Sequence, residues 1–334
     1  MSIKKINVAI VGATGMVGRT FLKVLEDRKF PIHNLYLYSS SKSAGSHVNF
    51  NGKDYIVEEL NENSFDKDIQ IALFSAGGEI SKKYAPIAAS KGIIVVDNSS
   101  QWRMDPDVPL VVPEVNPEAI KEHKGIIANP NCSTIQAVVP LKCLNDKYKL
   151  KRIVYSTYQA VSGSGIKGTN DLECGINGEP NKFYPHPIAY NCLPHIDSFT
   201  SNGYTKEELK MINETQKIFN NYDLKVTATT VRVPVKNCHS ESINIEFENE
   251  FDLDQLINDL KNATGVVLLD NPQLNEYPTA LECNGQDEVF VGRVRRDFSV
   301  DNGINLWVVA DNIRKGAATN AVQIAELVLA YDLV

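Results

Sequence analysis

Cys132 lies in the stretch GIIANPNCSTIQAVVPLKCL, from Gly125 to Leu144. There a short apolar strand (Ile126, Ile127, Ala128) is broken by Pro130, and a helix is expected to begin straight after the cysteine. Ser133 and Thr134 are N-cap residue types, and Ile135, Val138, Val139 and Leu141 follow at helical spacing. A cysteine in that position faces the free N–H groups and the positive dipole end of a helix, which favours thiolate over thiol. The competing reading is a cysteine used as a small buried hydrophobe.

Residues able to complete thiol chemistry are spread along the chain. Of six histidines, His33, His47 and His123 fall on surface-type segments, and His186 and His195 fall in an irregular region rich in Gly, Pro and Asn. His239 follows the strand in TTVRVPVKNCHSES and is the candidate acid/base, although a lone histidine is more often structural. Arg232, in the same stretch, stands between Val231 and Val233 near a strand end, where an unpaired guanidinium is costly. It calls for an anion, from the protein or from a ligand. Gln159 in STYQAVSGSG can orient a carbonyl, and Ser162–Gly163 form a flexible turn just beyond it. Arg103 in NSSQWRM follows a strand, where open α/β sheets bind ligands. Glu207 and Lys210, at i,i+3 in TKEELKMINETQKIF, read on their own as an ordinary exposed helix ion pair.

The elements that must position these groups are legible from the N-terminus. VAIVGATGMVG places Gly12, Gly15 and Gly18 directly after a strand and into a helix, as a tight dinucleotide-binding turn requires. The next strand ends LYLYSSSKSAG, with no acid for a ribose 2′-hydroxyl but with four serines and Lys42. Hydroxyls and a cation suit a 2′-phosphate, so NADP is expected over NAD; a solvated serine loop is the alternative. A thiol beside a nicotinamide implies one chemistry: addition to an aldehyde, hydride transfer, and cleavage of the resulting thioester by a second nucleophile.

The first third alternates strands (Ile6–Val11, Leu35–Tyr38, Ile69–Phe74, Ile93–Val96, Gly125–Ala128) with helices (Met16–Asp27, Ser81–Lys91, Pro117–Glu122). Beyond Cys132 longer strand-like runs dominate, such as LKRIVYSTYQAVSG, ESINIEFENE and GINLWVVADN, and a last helix spans Gly316–Leu329. The expected fold class is α/β: a Rossmann-type parallel sheet domain (1–132 with 313–334) plus an α+β catalytic and dimerisation domain (133–312).

A net charge of −7 argues against a nucleic-acid partner. Six dispersed cysteines without a CxxC pair indicate reduced thiols in a cytoplasm, with no metal site and no disulfide framework. MSIKKINVAIVGATGMVG superficially resembles a signal sequence, but Asn7 and the glycines interrupt it. No apolar run is long enough to span a membrane.

Taken together, GATGMVG, SSSKSAG, DNSSQWRM, VPEVN, ANPNCST, YQAVSGSG, EELKMINETQKI, RVPVKNCHSES and DNIRKGAATNAVQIAE resemble, in order and over nearly the whole chain, the aspartate-semialdehyde dehydrogenases. The resemblance implies a reversible NADP- and phosphate-dependent oxidation of L-aspartate 4-semialdehyde to L-4-aspartyl phosphate. Physiologically the reaction would run as the reduction, toward lysine, methionine and threonine. The resemblance makes Cys132 the acyl-thioester nucleophile, His239 the acid/base and Gln159 the substrate-positioning residue. It assigns Arg232 to the substrate carboxylate, Glu207 to its amine, and Arg103 and Lys210 to phosphate. Gly12, Ala13, Thr14, Gly15, Met16, Val17, Ser39, Ser41, Lys42, Ser162, Gly163 and Asn312 fall at nucleotide positions. It further implies a homodimer or homotetramer formed through the second domain, and a last helix that returns to the first. Two competing readings are another acyl-phosphate reductase and a non-catalytic NADP-binding sensor; the latter would be favoured by loss of Cys132 or His239, and both are present.

Overall fold

The computed structural model describes residues 5–334; residues 1–4, the start of the signal-like stretch, lie outside the described residues. The chain divides into two compact units, one running to Pro130 and resuming at Ala317–Val334, the other Asn131–Gly316. Cys132 therefore belongs to the second unit, whereas the sequence reading ended the first domain at 132.

In the first unit the strands are β1 (Ile6–Val11), β2 (Ile32–Ser39), β3 (His47–Phe50), β4 (Lys53–Ile56), β5 (Glu58–Glu59), β6 (Ile71–Phe74), β7 (Ile94–Asp97) and β8 (Ile126–Ala128). Six of them form one sheet in the order β5-β2-β1-β6-β7-β8, every pair parallel, while β3 and β4 make a separate hairpin. The fully buried central strands read as continuous apolar runs because helices cover both faces of such a sheet. Two of those helices are α1 (Met16–Asp27) and α2 (Gly78–Ser90). The expected helix at Pro117–Glu122 is a 3₁₀ segment. The last helix differs at its start: Arg314–Thr319 is a π-helical turn, and α-helix runs only over Asn320–Ala330. Its apolar face (Ala321, Val322, Ala325, Val328) joins the same core as Ile10, Leu73 and Val96. Apolar spacing alone demanded a partner for that face without saying which.

The second unit is built on one mixed sheet, ordered β10-β9-β11-β14-β13-β12. Its strands are β9 (Leu150–Gln159), β10 (Lys225–Arg232), β11 (His239–Phe247), β12 (Val266–Leu268), β13 (Val289–Asp297) and β14 (Gly303–Ala310). Its helices are α3 (Cys132–Tyr148), α4 (Gly165–Ile176), α5 (Lys206–Ile218), α6 (Leu253–Lys261) and α7 (Ala280–Cys283); Asn320–Ala330 of the first unit is α8. Strand β9 pairs in parallel with β10 and antiparallel with β11. One end of the sheet therefore gathers the last residues of β9 and β10 and the first of β11. That end carries the chemistry. Among the described residues no helix is long and apolar enough to cross a membrane.

Candidate active site

Residue by residue, the sheet register does the positioning. Gln159 stands opposite Arg232 on β10, and His239 opens β11 beside the end of β9, where Ser240 pairs with Tyr158. All three side chains point to the face on which α3 and α5 pack, and all three are buried. Helix α3 starts at Cys132 itself, not after it. Its cap is Asn131, whose side chain accepts from the N–H groups of Ser133 (3.0 Å) and Thr134 (3.3 Å). Asn131 also donates through Nδ2 to Glu207 (2.9 Å) and through its backbone N–H to Glu214 (2.6 Å). The cap thus fixes both the helix dipole behind the thiol and the carboxylate in front of it. Sequence reasoning assigned the cap to Ser133 and Thr134, although an Asn directly before the helix was the available signal.

Cys132 Sγ lies 3.2 Å from His239 Nε2. The backbone N–H of Ala160 donates to the other ring nitrogen, Nδ1, at 3.0 Å. With Nδ1 accepting, the neutral ring must carry its proton on Nε2, aimed at the sulfur. An imidazolium would set a second donor against the Ala160 N–H. Burial, reinforced by the charge of Arg232, holds the His239 ring far below its ordinary pKa, in agreement with that geometry. His239 is therefore a fixed hydrogen-bond donor toward the thiol. A Cβ on Gly163 would come within 3.0 Å of Arg232 Nη1 and 3.2 Å of the His239 ring, so any larger residue would press on both side chains. Gly316 is likewise tight against Cys132, where a Cβ would meet the cysteine Cβ at 2.9 Å.

Arg232 is 4% exposed and donates through Nη1 to the Ala160 carbonyl at 2.6 Å, while its Nε has no hydrogen-bond partner in the protein. Among the described residues no carboxylate forms an ion pair with it, although the Glu207 charge acts on it across the site, and its Nε is open to a further acceptor. Glu207, 5% exposed, corrects the reading of an exposed pair. Its Oε1 accepts from Asn131 and from Gln159 Nε2 (3.3 Å), and its Oε2 accepts from Lys210 at 3.1 Å. Burial alone would raise the Glu207 carboxyl, but Lys210, Asn131 and Arg232 outweigh it and hold the group below the usual carboxylate range. Lys210 also binds Asp197 at 2.8 Å; burial works against its charge, yet the two carboxylates keep its pKa above the ordinary value. Gln159 donates to Ser133 Oγ at 2.8 Å, which fixes its amide. Asn312 accepts from the Cys238 N–H (2.9 Å) and donates to Ser162 Oγ (3.0 Å). Sequence reasoning missed Ser133 as the Gln159 anchor, Ala160 as the tautomer lock and Asp197 as the second partner of Lys210.

In the first unit the glycine turn has the build of a dinucleotide cradle. Gly12 has φ +88°, and a Cβ there would sit 2.3 Å from the Ser75 carbonyl oxygen after β6; a Cβ on Gly18 would sit 2.1 Å from the Gly12 oxygen. The backbone N–H groups of Gly12 and Ala13 both donate to the Tyr38 carbonyl at the end of β2. Thr14 Oγ1 meets Ser39 Oγ at 2.8 Å. Gly15 precedes α1, and Met16 and Val17 form its first turn, at the switch point where β1 lies between β2 and β6. Ser40, Ser41 and Lys42 are exposed on the turn after β2. Arg103 is buried and donates to the carbonyls of Asn129 (2.9 Å) and Asn98 (3.0 Å).

A parallel-sheet dinucleotide unit in one chain with a unit holding a capped cysteine against a neutral imidazole has the parts of a nicotinamide-dependent dehydrogenase. Comparison with known families agrees: residues 7–123 match the semialdehyde dehydrogenase NAD binding domain, and residues 141–315 match the semialdehyde dehydrogenase dimerisation domain. The chain is 59% identical to aspartate-semialdehyde dehydrogenase of Aquifex aeolicus, covering 98% of this chain and 99% of that one. The crystal structure of aspartate semialdehyde dehydrogenase II from Vibrio cholerae superposes with a TM-score of 0.93 at 50% identity, covering 98% and 99% of the two chains. The same Vibrio enzyme has been solved complexed with ASA, and a Candida albicans relative with NADP (25% identity, TM-score 0.79, coverage 99% and 100%). The chain belongs to the aspartate-semialdehyde dehydrogenase family.

Proposed function

We propose that this enzyme interconverts L-aspartate 4-semialdehyde and L-4-aspartyl phosphate, with NADP and inorganic phosphate, through a thioester on Cys132. The observation that carries the reading is the Cys132–His239 contact of 3.2 Å, with the ring proton directed at sulfur. In the oxidative direction the Cys132 thiolate attacks the aldehyde carbon, forming the C–S bond and placing negative charge on the former carbonyl oxygen. His239 Nε2–H, held beside the sulfur that forms the new bond, is the donor for that oxyanion and fills the acid role. Bound nicotinamide supplies the hydride acceptor, or the donor in the reverse direction. Arg232 takes the substrate carboxylate in a two-bond fork, Glu207 takes its ammonium, and Gln159 orients the carbonyl. Arg103 and Lys210 take phosphate, whose oxygen displaces the Cys132 sulfur to release the acyl phosphate. Gly12 to Val17 and Ser39 hold the pyrophosphate end, Ser41 and Lys42 the 2′-phosphate, and Ser162, Gly163 and Asn312 the nicotinamide end. NADP rather than NAD is supported by the absence of an acid at the end of β2 and by the serine–lysine turn that follows it.

We further assign assembly as a homodimer or homotetramer to the 141–315 unit, whose family model is a dimerisation domain. Six free cysteines suit a reducing compartment, so the cytoplasm is the proposed location. The test is direct. Purified protein given aspartate semialdehyde, NADP+ and phosphate should generate the absorbance of reduced nicotinamide and form acyl phosphate. Reduction that proceeds equally without phosphate would refute the acyl-phosphate product.

A further inference from the structure

Behind the row formed by Gln159, Arg232 and His239 lies a second buried polar row. Glu241 stands opposite Thr157 and Thr157 opposite Thr230, each two residues along its strand and so on the same face as the row above. All three are fully buried. Helix α3, which packs on β9 and β11, adds the buried Gln136, whose Nε2 donates to the His239 carbonyl at 3.2 Å. Among the described residues, five atoms here have no hydrogen-bond partner in the protein: both Glu241 carboxyl oxygens, the hydroxyls of Thr157 and Thr230, and Gln136 Oε1. Buried polar atoms are almost always satisfied, and a polar layer able to offer several partners is where ordered water resides. The ionisable groups acting with Glu241 are Glu207 from α5 and Tyr155 from β9; α5 also brings the buried Glu208, which accepts from the Thr230 N–H, and Glu214, which accepts from the Asn131 N–H, while Arg232 and His239 stand in the row above. Of the two acting with Glu241, Glu207 holds the negative charge, clasped by Lys210, Asn131 and Gln159. A second charge in this layer would face Glu207 with no ion pair of its own among the described residues.

We propose that Glu241 is a positioning residue acting as a neutral carboxylic acid, which completes a water-bridged layer under Glu207 and Gln159 and leaves the charge to Glu207. Burial and the repulsion of Glu207 both push the Glu241 carboxyl well above its ordinary range, which supports this assignment. Thr157 and Thr230 can each both give and take a hydrogen bond, Gln136 Oε1 can only accept, and a protonated carboxyl supplies the donor that a carboxylate lacks. The inference rests on the reading that Glu207 receives the substrate ammonium.

Three measurements on the full chain test it. The infrared difference spectrum of parent minus Glu241→Gln at neutral pH should contain a protonated-carboxyl band; its absence overturns the proposal without any turnover measurement. Glu241→Leu, of similar volume but apolar, should raise KM for aspartate semialdehyde about tenfold, the ratio one misplaced buried hydrogen bond commands, with KM for NADP+ unchanged. Glu241→Gln, which keeps the neutral polar shape, should restore that KM. A Gln variant as impaired as Leu would show that the charge is needed, and a Leu variant equal to the parent would show that the layer positions nothing; either overturns the proposal. If Leu does not fold, the infrared band and the Gln kinetics still decide. A Glu207→Gln variant with unchanged KM would instead refute the ammonium contact, and the infrared result would stand apart from it.

Discussion

Replacing Arg232 with lysine preserves the charge and removes the geometry. In the structure the guanidinium is 4% exposed, one Nη is committed to the Ala160 carbonyl at 2.6 Å, and the buried Nε has no protein partner. A lysine ammonium reaching the same place is a point charge that cannot hold the Ala160 carbonyl and both oxygens of a carboxylate in one plane. Loss of a buried, charge-assisted fork corresponds to about 2–4 kcal/mol, or a fall in kcat/KM of about 30- to 900-fold. Ala160 joins this contact to the thiol, because its carbonyl accepts from Arg232 and its N–H donates to His239 Nδ1. Some of the loss should therefore appear in kcat, while most appears in KM for the semialdehyde. Steady-state kinetics with each substrate varied in turn would separate the two. A variant that kept its semialdehyde KM and lost NADP+ affinity would refute the assignment of Arg232 to the substrate.

Brief iodoacetamide treatment followed by peptide mapping should label Cys132 first. Burial pushes the Cys143 thiol up to about 11 and Cys283 up to about 12, and raises Cys238 as well. Cys192 is exposed, so labelling of Cys192 ahead of Cys132 would sink the idea that the helix start activates the thiol. Converting Ser40 or Lys42 to Asp should lower the NADP+ to NAD+ ratio of kcat/KM by repelling the 2′-phosphate, and an unchanged ratio in both variants would move the discriminating contact elsewhere. Stability should fall as pH drops below about 6.5, because there the unfolded chain binds a proton that the buried, depressed His239 refuses. Urea unfolding of parent and His239→Asn between pH 7.5 and 5.5 should show a slope difference of at most about 1.4 kcal/mol per pH unit. Parallel curves would mean that His239 accepts its proton without cost.

The parallel sheet, the glycine turn and the cysteine at a helix start were legible in the sequence because each is local. Strand period, helix period and a glycine between them act over a few residues, and ANPNCST contains its own cap. Segment ends were less legible: Pro117–Glu122 closed as 3₁₀ and the final helix opened with a π turn, choices made by packing rather than propensity. The site needed the sheet register. Glu207 and Lys210 looked like a solvated pair because helical spacing carries no information about burial, and only the packing of α5 on β10 placed the carboxylate out of water. His239 carried no sign of its tautomer, which was decided by a backbone N–H from Ala160, 79 positions away. Glu241 shared its strand face with His239, a signal open to anyone counting by two. That its carboxyl has no protein partner, and so favours the neutral form, follows only from which strands lie beside it. Hydrogen-bond partners and desolvation are properties of neighbours, and neighbours distant in the chain exist only once the sheet has formed.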